Sequence, residues 1–195
     1  MKIKYKSEEN LIGHYDLNIN YSSPINGALE SIFKYFDINL TPSLNVLDVG
    51  CGTGHASEYV LNCGCDVVGI DYSRQRILHA NMMDGLFIPA DINIILPYFG
   101  ENLFDFIMLF EVLEHLENPN EVLKQCRRIL NPDGLIFGSL PINSHYEAHL
   151  QVYSGIEDIK RRLSGLVDVS HFMDNLTFAF FKSNKSGGIE NHETR

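Results

Sequence analysis

The stretch Val46-Leu47-Asp48-Val49-Gly50-Cys51-Gly52-Thr53-Gly54 constrains this chain more than any other. A short apolar run, Leu44 to Val49, carries an acid at Asp48 and gives way to three glycines spaced two apart. His55–Asn62 then reads as a helix closed near Gly64. Strand, glycine turn and helix in that order set a helix N-terminus over a strand end, where backbone N–H groups can approach a ligand closely. In an open α/β sheet that point is the crevice at the carboxyl ends of the strands.

The rest of the chain keeps the alternation. Val67–Ile70 reads as a strand and Arg74–Met83 as a helix; Phe87–Asp91 is a weak strand whose Pro89 suits a sheet edge. Phe104–Phe110 is uninterrupted and apolar, as a strand buried on both faces should be. Asn118-Pro119 opens a helix with the inward stripe Val122, Leu123, Cys126, Ile129 and Leu130. It stops at Asn131-Pro132-Asp133-Gly134, a turn by composition, before the strand Leu135–Leu140 and Pro141. Ser154-Gly155-Ile156-Glu157 matches a capping box, and Val167–Val169 with Thr177–Phe181 can close the sheet as an antiparallel pair. The expected architecture is α/β: a mostly parallel, seven-stranded sheet with helices on both faces and an antiparallel closing hairpin. Before it, Ser23-Pro24 opens an amphipathic helix reaching Phe36. Residues 1–40 are therefore expected as a helical lid, 41–183 as the core and 184–195 as a flexible tail.

A length of 195 residues with 45% hydrophobic content suits one domain with one sizeable core. No apolar run approaches the roughly 20 residues of a membrane span, and the N-terminus lacks the apolar stretch of a signal peptide. Cys51, Cys63, Cys65 and Cys126 show neither metal-type nor disulfide-scaffold spacing, so a cytoplasmic location is expected. The net charge of −10 argues against nucleic acid as a partner and favours a small or uncharged substrate.

Two ligand classes compete for the glycine loop: a pyrophosphate dinucleotide and S-adenosylmethionine (SAM). The dinucleotide fingerprint G-x-G-x-x-G wants its third glycine where His55 stands, and Asp48 would face a pyrophosphate unfavourably. The same acid can accept hydrogen bonds from the ammonium end of SAM. The segment closely resembles the first motif of class I SAM-dependent methyltransferases, a Rossmann-like family, and the resemblance runs on for about 140 residues. Gly69-Ile70-Asp71-Tyr72-Ser73 is similar to the family's second motif, which implies that Asp71 receives the ribose hydroxyls. Ala90-Asp91 resembles the third, implying that Asp91 accepts from the adenine amino group. Phe104–Phe110 resembles the fourth strand, and Ile129–Leu135 the turn before the fifth. The implied cofactor contacts are Asp48, Gly50, Cys51, Gly52, Gly54, Asp71, Tyr72, Asp91 and Phe110.

Methyl transfer from a sulfonium depends mainly on holding an acceptor in line, and a base is needed only if the acceptor must lose a proton. The residues placed for this follow the fourth strand: Glu111-Val112-Leu113-Glu114-His115. His115, with Glu111, is the candidate catalytic group, its ordinary pKa lying near about 6.5. Glu111, Glu114, His115 and a returning His149 also form a candidate divalent-cation set for Mg²⁺, Mn²⁺ or Zn²⁺. Ubiquinone-pathway O-methyltransferases and small-RNA 3′-terminal 2′-O-methyltransferases look like this, and the resemblance implies a Lewis-acid metal. The bland alternative is that these side chains only brace the loop through hydrogen bonds to backbone. Substrate choice falls to a short insert, Ile142 to Tyr153, and to the N-terminal lid with Tyr15 and Tyr21, thin enough to admit a carrier-bound acceptor.

The leading expectation is a SAM-dependent methyltransferase acting at oxygen on a small molecule. RNA 3′-terminal 2′-O-methylation and a non-catalytic SAM-binding regulator are the alternatives, and the glycine spacing disfavours a nicotinamide oxidoreductase.

Overall fold

The computed structural model describes residues 28–172 and 177–186. Four strands run parallel: β1 (Asn45–Val49), β2 (Asp66–Asp71), β3 (Leu86–Pro89) and β4 (Phe104–Phe110). β5 (Leu130–Pro141) pairs parallel with β4, then antiparallel with β7 (Phe178–Asn184), which pairs with β6 (Asp168–His171). The sheet order is β3-β2-β1-β4-β5-β7-β6, with β3 at an edge, where Pro89 removes no inner ladder bond.

Strand periodicity sorts the core into two layers. Val46, Phe106 and Met108 pack with α1 (Leu29–Tyr35), α2 (His55–Asn62) and α3 (Arg74–Ala80). Their neighbours Leu47, Ile107 and Leu109 face the other way, towards α4 (Ile92–Ile95), α5 (Pro119–Ile129) and α6 (Ile156–Arg162). Both faces of the central strands are covered, so β1 and β4 carry apolar residues almost without interruption. The carboxyl ends of β1, β2 and β4 therefore meet at one rim, flanked by the edge strand β3.

Several boundaries differ from the sequence reading, each for a visible reason. α3 stops at Ala80 instead of Met83, because Met83 folds back over Gly54. Asn131 to Gly134 form no separate turn but a bulge within β5: Phe104 pairs Leu130 and Phe106 pairs Leu135, and Asn131 donates to Asp105 at 2.5 Å. The capping box does not form. Gly155 caps α6 without a side-chain bond, and the Ser154 amide donates instead to Asp158 at 3.1 Å. Residues 184–186, expected in the tail, are part of the described fold, and residues 187–195 lie outside the described residues. Asn184 completes β7, and Lys185 donates to Asn102 Oδ1 and to the carbonyls of Arg128 and Leu130. The helix start at Ser23-Pro24 and most of the proposed lid, including Tyr15 and Tyr21, lie outside the described residues.

Candidate functional site

The glycine loop is built by backbone conformation. Gly50, Gly52 and Gly54 all have positive φ (74°, 57° and 90°), and the Gly50 and Cys51 amides donate to the Ile70 carbonyl. At Gly50 a Cβ would stand 2.5 Å from Val112 Cγ2, so the loop and the segment after β4 approach as closely as glycine permits.

Two buried acids converge beneath this loop. Asp71 accepts the amides of Gly52 at 2.9 Å and Ser73 at 2.7 Å, with Arg76 Nη1 4.0 Å away. Asp48 is 2% exposed and accepts the Ser57 hydroxyl at 2.6 Å. Burial pushes the Asp48 carboxyl up to about 7; the Ser57 bond opposes the rise and the charge of Asp71 adds to it. A carboxylate this poor in cationic company favours a ligand that brings a positive group. Cys51 is buried in the same loop, and burial raises its thiol far above the ordinary range, so it packs rather than reacts.

The other predicted contacts lie around the same rim. The Ala90 amide donates to the Asp71 carbonyl, bringing Asp91 beside the end of β2, where its Oδ1 caps α4 through the Asn93 amide at 2.8 Å. Tyr72 is 38% exposed next to Asp71. Phe110 is half-buried and packs on Phe33 of α1 and on Phe137.

Beyond Phe110 the chain turns sharply. Glu111 has φ 55°, a left-handed conformation that costs a non-glycine residue energy, and its amide donates to the Ser139 carbonyl. A short 3₁₀ turn, Leu113–His115, then carries Glu114 inward and His115 to the surface. The Glu114 carbonyl accepts the amides of Leu150 and Gln151, which stitches the post-β5 segment to this turn and returns His149 to His115. The two imidazoles sit edge to face with ring centroids 4.9 Å apart. Their Nδ1 atoms meet the carbonyls of Ala148 at 3.1 Å and Ser144 at 3.2 Å, so Nδ1–H tautomers leave the lone pairs on Nε2.

Among the described residues, the ligand atoms of Glu114, His115 and His149 lie within 4.8 Å of one another. Glu111 is outside that cluster, because its left-handed backbone re-aims it; this corrects the four-residue set read from the sequence. Glu114 is 1% exposed, its two carboxylate oxygens have no hydrogen-bond partner, and burial raises its carboxyl well above the usual range. Two oriented imidazoles and an orphaned buried carboxylate are a donor set that fits a divalent cation. The hydrogen bonds to Ala148 and Ser144 also do what the loop-bracing alternative asked of histidines.

The sequence reading missed Ser57, Ser73, Ser139 and Tyr153. Ser57 left a trace, being a polar residue between Ala56 and Val60 on the buried face of α2. Ser139 and Tyr153 left none, since each becomes interior only when β5 and its following segment close on the Glu114 turn.

The chain is 33% identical over 127 residues (60% of this chain, 53% of the relative) to a ubiquinone biosynthesis O-methyltransferase from Glaesserella parasuis. Against the protein of the same name from Coxiella burnetii it is 32% identical over 148 residues, 72% of this chain and 62% of the relative. It thus spans between about half and two thirds of the length of these curated relatives. The crystal structure of a SAM-dependent methyltransferase from Aquifex aeolicus superposes with a TM-score of 0.68 at 18% identity, covering 91% of this chain and 98% of that one, a likeness of fold. A family model described as a methyltransferase domain matches residues 21–171, and the chain belongs to that family.

Proposed function

We propose that this chain binds SAM across the glycine loop and transfers its methyl group to an oxygen atom of a small-molecule acceptor. One observation carries the reading: three left-handed glycines lie directly over two converging buried carboxylates, one of them held near neutrality for want of a positive partner. Asp48 would receive the ammonium of the methionine moiety. Each Asp71 oxygen accepts one amide, and a carboxylate offers about four acceptor sites, so both oxygens retain capacity for the ribose hydroxyls. Asp91 and Tyr72 would border the adenine, and Phe110 with Gly50, Cys51, Gly52 and Gly54 would line the remainder. The relatives' printed names support oxygen as the acceptor atom.

The acceptor would sit over Glu111 and His115 at the end of β4. Without a cation, His115 would supply the general base through Nε2, and Glu111 would orient the acceptor from its strained turn. With a divalent cation held by Glu114, His115 and His149, the Nε2 lone pair would be spent on the ion, whose chemistry is to polarise the acceptor oxygen in place of a histidine base. Residues 1–40 act as the lid, with α1 already packed on Phe110 through Phe33, and a thin cover of this kind suits a carrier-bound acceptor as well as a free one. Among the described residues no helix is long and apolar enough to cross a membrane. We place the reaction in the cytoplasm, with the four cysteines as free thiols.

Calorimetric titration with S-adenosylhomocysteine and with NAD tests the core of this reading. Binding of the first at sub-millimolar concentration and no binding of the second are expected; the reverse would overturn it. Labelled methyl donor with a panel of phenols, sugars, amines and short RNAs then identifies the acceptor. Label entering only the amines would refute oxygen.

A further inference from the structure

The three glycines of the loop differ in what stands beside them. A Cβ on Gly52 would meet nothing within 4 Å, whereas one on Gly50 would press on Val112. A Cβ on Gly54 would overlap Met83 Cε, with Met83 Sδ at 3.5 Å and Ala80 Cβ at 3.4 Å. The first and third glycines are therefore walled by side chains, and the middle one is left open.

Met83 reaches Gly54 from the turn that follows α3. Its amide donates to the Ala80 carbonyl at 3.0 Å, and the Met82 amide to the His79 carbonyl at 3.0 Å. Met82 is 84% exposed, while Met83 is half-buried and packs with the layer that holds α2 and α3. Of two adjacent methionines, only the second is built into the fold. An unbranched thioether suits the place, because it can lie flat against a bare main chain.

α3 thus grips the glycine loop from both of its ends. Where it starts, Asp71 takes the amides of Ser73 and Gly52; past its last turn, Met83 closes on Gly54. Gly54 is also the first link of α2: it has φ 90°, and its carbonyl accepts the Glu58 amide at 2.8 Å. No side chain caps this helix, so the aim of its first turn depends on how firmly Gly54 is held from outside.

We propose that Met83 is a positioning residue for the cofactor: its side chain occupies the place of the missing Gly54 Cβ and fixes the left-handed entry into α2. The loop then meets its ligand already in shape, and the ligand spends none of its binding energy on ordering it. This rests on the reading of the glycine loop as the SAM site.

Calorimetry with S-adenosylhomocysteine on Met83→Ala and Met83→Leu tests it. Met83→Ala should weaken binding by about five- to tenfold, through the loosened loop. Met83→Leu, which nearly conserves the volume, should return affinity to within about twofold. Val60→Ala, buried further along α2, is the control: it should lower the thermal midpoint at least as far and leave affinity within about twofold. Equal affinity in Met83→Ala and the unaltered protein would overturn the role of Met83 and leave the site standing. A matching loss in Val60→Ala would also overturn it, by tracing the effect to general destabilisation. No binding by the unaltered protein would overturn the site and this proposal together. Gly54→Ala supplies a second check, since its methyl group competes with Met83 for one space. Adding Met83→Ala to it should recover part of the affinity lost, and additive losses would show the two residues to be independent.

Discussion

The Gly52 amide donates to the Asp71 carboxylate at 2.9 Å, so the acid that ends β2 braces the loop that leaves β1. Its other oxygen takes the Ser73 amide at the start of α3. Asp71 therefore joins two strand-to-helix turns before any ligand arrives, and ligand binding begins from a loop already set.

Asp71→Ala removes the acceptor from both amides and should cost about 1–3 kcal/mol of stability. It should weaken S-adenosylhomocysteine by about tenfold or more, since the ligand must then order the loop itself. Denaturant unfolding and calorimetry read the two effects. A loss of stability with unchanged affinity would separate the brace from the binding site.

The glycines of the loop should part company when replaced by alanine. At Gly50 the new methyl group meets Val112 Cγ2 at 2.5 Å in a left-handed conformation, and a loss of about 2–4 kcal/mol is expected. At Gly52 nothing lies within 4 Å of the added Cβ, so Gly52→Ala should cost only about 1 kcal/mol. It should nevertheless impair S-adenosylhomocysteine binding, because the methyl group occupies open space where the ligand is placed. Equal affinity in Gly52→Ala and the unaltered protein would move the ligand elsewhere.

Asp48 makes binding depend on pH in a definite direction. Its carboxyl rises from 3.8 to about 7 on folding, so between those values the folded protein holds a proton that the unfolded chain gives up. The ligand-free protein should lose up to about 4 kcal/mol of stability as pH rises through that window. The raised carboxyl of Glu114 acts in the same sense. An ammonium ligand draws the proton off Asp48, so S-adenosylhomocysteine affinity should increase with pH and level off above about 7. Calorimetry in buffers of different ionisation enthalpy should show proton release, and Asp48→Asn should abolish both effects. A flat affinity between about pH 5.5 and 8 would rule out Asp48 as the ammonium acceptor.

Lys185 offers a control remote from the chemistry. Its ammonium meets Asn102 Oδ1 at 2.6 Å and the Leu130 carbonyl at 2.7 Å, beyond the end of α5. Lys185→Met should lower the thermal midpoint by the equivalent of about 1–2 kcal/mol and leave ligand affinity unchanged. A change in affinity would mean that this end of the sheet communicates with the glycine loop.

What the sequence disclosed tracks what is local. β4 and α2 were readable to the residue, because Phe104–Phe110 is an unbroken apolar run and His55–Asn62 is framed by Gly54 and Gly64. The glycine loop with Asp48 and Asp71 was readable because strand ends carry their chemistry in order. The Asn131–Gly134 segment was misread as a turn, because its composition is the same whether the chain reverses or merely bulges. Glu111 was placed with the cation set because spacing cannot report a left-handed backbone. Tyr153 and Ser139 were invisible, since their burial depends on contacts with residues some 40 and 30 positions earlier.

β7 lies between β5 and β6, although β6 comes first in the chain. During synthesis everything up to His171 therefore leaves the ribosome with one flank of β5 bare and β6 without a neighbour. The uncovered backbone runs beside Ile136, Phe137 and Leu140, an inviting template for another nascent chain. The delay between translating residue 141 and residue 184 is thus a vulnerable interval, and crowding by chaperones or by like chains would act on it before the sheet is sealed.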